Sequence, residues 1–183
     1  MTIRLAAPHD IPHIMELEAR YFVGNLDPAE QVHGFISTLH SQEWFRWAVD
    51  CEGVHIAVSD DGTIEGFIAV TPPPTGAAKP SPIISAMLAL TPTLTFNGGP
   101  ISQQRFAFRG PVLIDRSARG QGLYSAFNAV ARQAYADRFD IGVLFVSADN
   151  PLSLHTTTNK LGAEPLAVFD VDDKRYHFLA FAL

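Results

Sequence analysis

An α/β fold, a mixed sheet of six to seven strands with helices on both faces, is what this sequence predicts, and three observations predict it. Strand-like and helix-like patterns alternate along the 183 residues. The run IGVLFVSA, residues 141 to 148, is apolar throughout instead of alternating, so both faces of that strand are covered. A long helical pattern lies between a strand ending at Ile114 and the one beginning at Ile141, which calls for a right-handed crossover and a parallel pair.

Each element follows from local chemistry. Ile3 to Ala6 reads as a short strand. Asp10 then caps a helix with Pro12 in its first turn, and Ile11, Ile14, Leu17 and Tyr21 mark its apolar face. Asp27-Pro28-Ala29-Glu30 opens a second helix, with Val32, Phe35, Ile36 and Leu39 as its face. Trp44, Phe45 and Trp47 cluster after it, as core or as interface. His55 to Ser59 and Ile64 to Val70 are strands joined through Asp60-Asp61-Gly62, a hairpin signal.

TPPPTGAAKPSP, residues 71 to 82, is an extended loop, and Ile83 to Leu94 a short apolar helix ended by Asn97-Gly98-Gly99-Pro100. Residues 72–101 are too few for a second domain and read as an insertion over one face of a single domain spanning residues 1–183. Arg105 to Ile114 is a strand that bends at Gly110-Pro111. Leu123, Phe127, Val130, Ala134 and Tyr135 mark the long helix. Asn150-Pro151 opens another helix that stops at Gly162, and Glu164 to Phe169 with Arg175 to Leu183 forms a final hairpin.

Composition narrows the function. The net charge of −6 speaks against nucleic-acid binding. No apolar run reaches the ~18 residues of a membrane span, and the start MTIRLAAPHD lacks the pattern of a signal peptide, so a cytoplasmic protein is expected. Cys51 is the only cysteine, which excludes an internal disulfide and a cysteine-built zinc site; a buried, inert thiol is expected. His33 and His40 are seven apart on the second helical pattern, but they lack a carboxylate at regular spacing, and no metal site is expected.

The chemistry concentrates in RSARGQGLYSAF, residues 116 to 127. Glycines without Cβ let backbone N–H groups crowd around a ligand, and a helix beginning there turns its positive end to the same point. Such a turn suits an anion, above all a phosphate.

The stretch Ile114-Asp115-Arg116-Ser117-Ala118-Arg119-Gly120-Gln121-Gly122-Leu123, together with the element order, resembles the GNAT acetyltransferase superfamily, which reads Val-x-Pro-x-x-Arg-Gly-x-Gly there. Ile114 stands for Val and Arg116 for Pro, while Arg119, Gly120, Gly122 and Leu123 match. Tyr124 departs from the family's small residue, so its ring must point away from the phosphates or the loop must shift. IRLAAPHDIPHIMELEARYF is similar to the family's first strand and helix, and Asn150 to Leu154, ending in Lys160-Leu161-Gly162, to its last core helix.

The resemblance implies a centrally splayed sheet and acetyl-CoA as co-substrate. It implies pantetheine along the backbone of Val112, Leu113 and Ile114. The pyrophosphate would lie on the amides of Gly120, Gln121, Gly122, Tyr124 and Ser125, with Arg119, Leu123, Asn150 and Ser153 completing the set. The activity implied is direct attack of a small-molecule or protein amine on the thioester, with a backbone N–H near Ile114 for the oxyanion. The family's Tyr acid falls on Thr158 counted back from Gly162 and on Thr157 counted on from Asn150, so this helix carries an extra residue or a bulge. His155, Thr158 and Tyr176 are the residues left to move protons. The resemblance also implies an acceptor cleft partly lined by Trp44, Phe45 and Trp47, and two alternatives stay open: a GNAT-like module that binds acyl-CoA without turnover, and a structural or dimerising role for the Pro-rich insertion and this Trp cluster, with a second copy of the chain as partner.

Overall fold

The computed structural model describes residues 1–74 and 80–183; part of the Pro-rich stretch, residues 75–79, lies outside them. Strands β1 (Thr2–Leu5), β2 (Val54–Val58), β3 (Ile64–Thr71), β6 (Phe106–Ile114), β7 (Ile141–Ser147), β9 (Lys174–Ala182) and β8 (Glu164–Val171) form one sheet in that order. Strands β4 (Thr95–Phe96) and β5 (Gly99–Pro100) form a separate hairpin. The helices are α1 (Ile11–Arg20), α2 (Pro28–Gln31), α3 (Gln42–Asp50), α4 (Pro82–Leu90), α5 (Leu123–Tyr135) and α6 (Pro151–Thr156). Most strand pairs are antiparallel, and β6 with β7 is parallel, as the crossover requires. That parallel ladder is short: Phe106↔Ile141, Ala107↔Gly142 and Phe108↔Val143.

Contacts group the chain into two compact units. The first comprises Met1–Thr71 and Arg109–Val130. Its core joins Ile11, Ile14, Leu17 and Tyr21 of the first helical region, Phe45, Ala48 and Val49 of α3, and Ile56, Phe67 and Leu113 of the strands. Phe45 meets Phe67 edge to face at 5.9 Å, which puts α3 on one face of β3. Gly66, on the opposite face, has Phe127 of α5 and the Leu113 carbonyl against it; a Cβ would come within 2.8 Å of that oxygen. Helices therefore cover both faces here.

The expected second helix is corrected. Asp27 and Pro28 start it as anticipated, but α2 ends at Gln31, and Gly34 at φ +88° turns the chain away. Val32 and Leu39, read as a buried face, are 68% and 45% exposed. His33 and His40 thus do not share a helix. Trp44, Phe45 and Trp47 belong instead to α3, whose N-cap Ser41 accepts from the Trp44 amide. Cys51 follows α3 and is half-buried.

The second unit comprises Pro72–Phe108 and Ala131–Leu183. Its core gathers Met87, Phe96 and Ile101 with Phe108, Ile141, Val143, Phe178 and Ala180. The insertion, read as lying over one face, contributes Met87, Phe96 and Ile101 to this core. Its helix stops at Leu90, earlier than expected, and Asn97 and Gly98, at φ +50° and +85°, form the tight turn between β4 and β5. The last hairpin is tighter than expected. Its strands run to Val171 and from Lys174 across Asp172 and Asp173, both with positive φ. The extra residue in the last helix is real: after α6 the chain makes a π-helical turn, Thr157–Leu161, before Gly162 ends it at φ +76°.

Candidate functional site: the turn between β6 and α5

Strand β6 ends at Ile114, and a one-turn 3-10 segment, Arg116–Ala118, leads to the glycines. Asp115 caps this segment, accepting from the Ser117 amide at 3.0 Å and hydroxyl at 2.7 Å. Its other oxygen accepts from Arg20 at 2.8 Å. Burial pushes the Asp115 carboxyl up, but the bonds from Ser117 and the charge of Arg20 outweigh it and hold it below the usual carboxylate range.

The turn is stapled from outside. Arg119 donates through Nε to the Ile114 carbonyl at 3.0 Å and through Nη1 to the His33 carbonyl at 2.7 Å, with its guanidinium 5.3 Å from the Tyr21 ring centroid. The Tyr21 hydroxyl accepts from the Arg116 amide at 2.8 Å, and Arg116 reaches Glu30 at 3.2 Å. Gln121 donates to the Ser117 carbonyl at 3.2 Å. These bonds hold both flanks of the glycines while Gly120, Gln121 and Gly122 stay exposed.

Gly120 and Gly122 have φ of +79° and +81°, and a Cβ on either would meet nothing within 4 Å. Open space therefore lies beside the backbone where a ligand would approach. The first helical bond of α5 runs from the Ala126 amide to the Gly122 carbonyl at 3.1 Å. The amides of Leu123, Tyr124 and Ser125 thus precede any intrahelical acceptor and point out of the helix end. Exposed amides on a fixed turn, with the positive end of a 13-residue helix behind them, fit a diphosphate.

Tyr124 is half-buried and is the second residue of α5, directly after the turn. Its ring lies against the Arg109 guanidinium, 5.0 Å from centroid to Cζ. Arg109 and its partner Asn128 were missed in the sequence; the signal was a lone arginine inside the apolar strand FAFRGPVLI. Also missed was a pair in the same unit, the buried Glu18 and the half-buried His40. Glu18 is 1% exposed and accepts from the His40 amide at 2.9 Å, with its other oxygen 2.7 Å from His40 Nδ1.

Among the cofactor residues expected on β6, Leu113 is buried, while Val112 and Ile114 are half-buried. The remaining expected residues lie in the second unit. Asn150 caps α6, accepting from the Ser153 amide at 3.1 Å, so each serves the helix start. His155 is exposed, its Nδ1 2.9 Å from Asn159 Nδ2. Thr158 turns its hydroxyl back on its own helix, donating to the carbonyls of Leu154 at 3.0 Å and His155 at 3.1 Å. Tyr176 is buried between Phe145 and Phe169. Burial first, then Asp172 and Asp149, push its hydroxyl pKa up. His155 lies in α6 and Thr158, three residues on, in the π-helical turn, and among the described residues no hydrogen bond joins either to Tyr176.

The same architecture recurs among solved proteins. A chain of the NatC complex bound to Gag peptide and CoA matches with a TM-score of 0.65 at 12% identity, over 100% of this chain and 98% of that one. A GNAT-family acetyltransferase from Streptococcus agalactiae 2603 matches at 0.65 and 15%, over 100% and 95%. The fold is that of the GNAT acetyltransferases. A ribosomal-protein-alanine N-acetyltransferase from Brucella melitensis shares this GNAT fold at 0.63 and 16%, over the full length of both chains. No family model and no curated protein matches the sequence.

Proposed function

We propose that this chain is an acetyl-CoA-dependent N-acetyltransferase that uses the turn from Asp115 to Ser125 to hold the cofactor's pyrophosphate. One observation carries the reading: the amides of Gly120 to Ser125 stand on a stapled, exposed turn at a helix N-terminus, with the Tyr124 ring drawn off toward Arg109. The GNAT fold supports the same assignment, and the NatC neighbour is a complex with CoA. Bound acetyl-CoA supplies the thioester that an amine attacks. Arg119 keeps the turn in shape through its bonds to Ile114 and His33. The backbone of Val112, Leu113 and Ile114 orients the pantetheine arm, and an N–H there stabilises charge on the carbonyl oxygen.

The acceptor is an amine of a small molecule or a protein. The neighbours named for a Gag peptide and for ribosomal-protein alanine make peptide α-amines the first probes. Of the three proton-transfer candidates we favour His155, which is exposed, whereas Thr158 is committed to carbonyls and Tyr176 is enclosed by rings. The test has two parts. Calorimetry with acetyl-CoA reads binding, and absence of heat at millimolar cofactor overturns the site. Thiol release over a panel of peptides and small amines then reads turnover. Binding with no release across the panel favours the second reading, an acyl-CoA-binding module, which Thr158 in place of a tyrosine supports.

A further inference from the structure

Arg109 is 6% exposed and Asn128 is 5% exposed, both in the first unit. Arg109 Nη2 donates to Asn128 Oδ1 at 2.8 Å. Arg109 Nε and Asn128 Nδ2 are buried without a hydrogen-bond partner. Among the described residues no carboxylate pairs with this guanidinium. Burial works against its charge, and the Tyr124 side chain is what opposes that, by its partial charge and by a hydrogen bond. Arginine stays protonated in proteins, so the first unit encloses an uncompensated cation and two idle donors. Such groups destabilise a fold, and well-packed apolar residues of like volume are often neutral or better. The arrangement needs a reason other than stability.

Its visible effect is on one ring. Tyr124 is the second residue of α5, beside the amides that face the turn. A tyrosine there, released from Arg109, can rotate about its Cα–Cβ bond and lay its ring over the Leu123 and Ser125 amides. We propose that Arg109 and Asn128 are positioning residues that hold the Tyr124 ring off the pyrophosphate-binding turn. The guanidinium offers a planar cation to the ring face, and Asn128 fixes the plane of the guanidinium. The inference rests on the cofactor site proposed above.

A double-mutant cycle tests it. Arg109→Met keeps the length of the side chain and removes the cation. It is expected to weaken acetyl-CoA binding by about tenfold or more, equivalent to roughly 1.4 kcal/mol, while melting at the same or a higher temperature. In a Tyr124→Ala background the same Arg109→Met change is expected to lose less than about threefold, because no ring is left to misplace. Arg109→Lys, which keeps a cation but not the planar fork, is expected to lie between, and it serves if Arg109→Met fails to fold. Equal losses in both backgrounds, or no loss in either, overturn the proposal. A readout without cofactor separates the two claims. NMR shifts of the Leu123 and Ser125 amides are expected to move in the Arg109 variant, through the ring current, and not in the double variant. The binding cycle is decisive only where wild type binds acetyl-CoA; if wild type ignores it while the amides still move in the Arg109 variant, the cofactor site is refuted and the clamp stands, and unmoved amides refute the clamp whatever binds.

Discussion

Gly122 carries the most at the scale of single residues. Its φ of +81° lies where a side chain is strained, although nothing crowds its Cβ position. Gly122→Ala is expected to destabilise the fold by about 1 kcal/mol and to weaken acetyl-CoA binding, because relief of that strain rotates the amides. Unchanged melting and unchanged calorimetry would remove the turn from the mechanism. Asp10 sets a second expectation. The Arg4 guanidinium, 2.7 and 2.9 Å away, holds its carboxyl below the usual range, and the Ala7 amide adds to this against the cost of burial. A carboxyl whose folded pKa is depressed contributes stability above its unfolded pKa of about 3.9 and loses it as pH falls through the folded value. Asp10→Asn is therefore expected to lower stability at pH 7, with the difference from wild type shrinking below about pH 4. A difference that stays constant from pH 7 to pH 3 contradicts this. The glycines were legible because their chemistry is local. Arg109 was not, because its role depends on Tyr124 and Asn128, 15 and 19 positions away, which only the packing of α5 against β6 brings together.

Elements were legible where period and cap agreed, and misread where a periodic face had no core to meet. Val32, Phe35, Ile36 and Leu39 keep helical spacing, yet Gly34 takes positive φ and the chain bends out of α2. The following helix carries the buried Phe45 and Ala48, and it announces itself by a serine cap that was overlooked. Ser41→Ala is expected to cost about 1 kcal/mol, read from denaturant midpoints; a shift within error would mean that tertiary packing alone sets the helix start. Asn97-Gly98 is a strong hairpin signal, but two-residue strands leave no alternation to notice around it. The π turn was half legible: two counts along the last helix disagreed by one, and Thr157–Leu161 is where the surplus residue resides.

At the scale of the whole molecule, element order, the parallel β6–β7 pair and the motif at the β6–α5 turn together specified the GNAT fold, while the insertion had no pattern to compare. It contributes to the core of the second unit: Met87, Phe96 and Ile101 are buried in one cluster with Phe108, Ile141, Val143 and Phe178. Replacing residues 82–101 by a short linker is expected to uncover this apolar surface and to give soluble aggregates on sizing chromatography, in place of a single included peak. A monodisperse deletion variant that melts cooperatively would show that the second unit stands without it. The inward positions of this segment are therefore hostage to folding, and its outward positions are not. Sequence drift in this lineage should show as alternating tolerance along α4, permissive at the exposed Ser85 and closed at Met87.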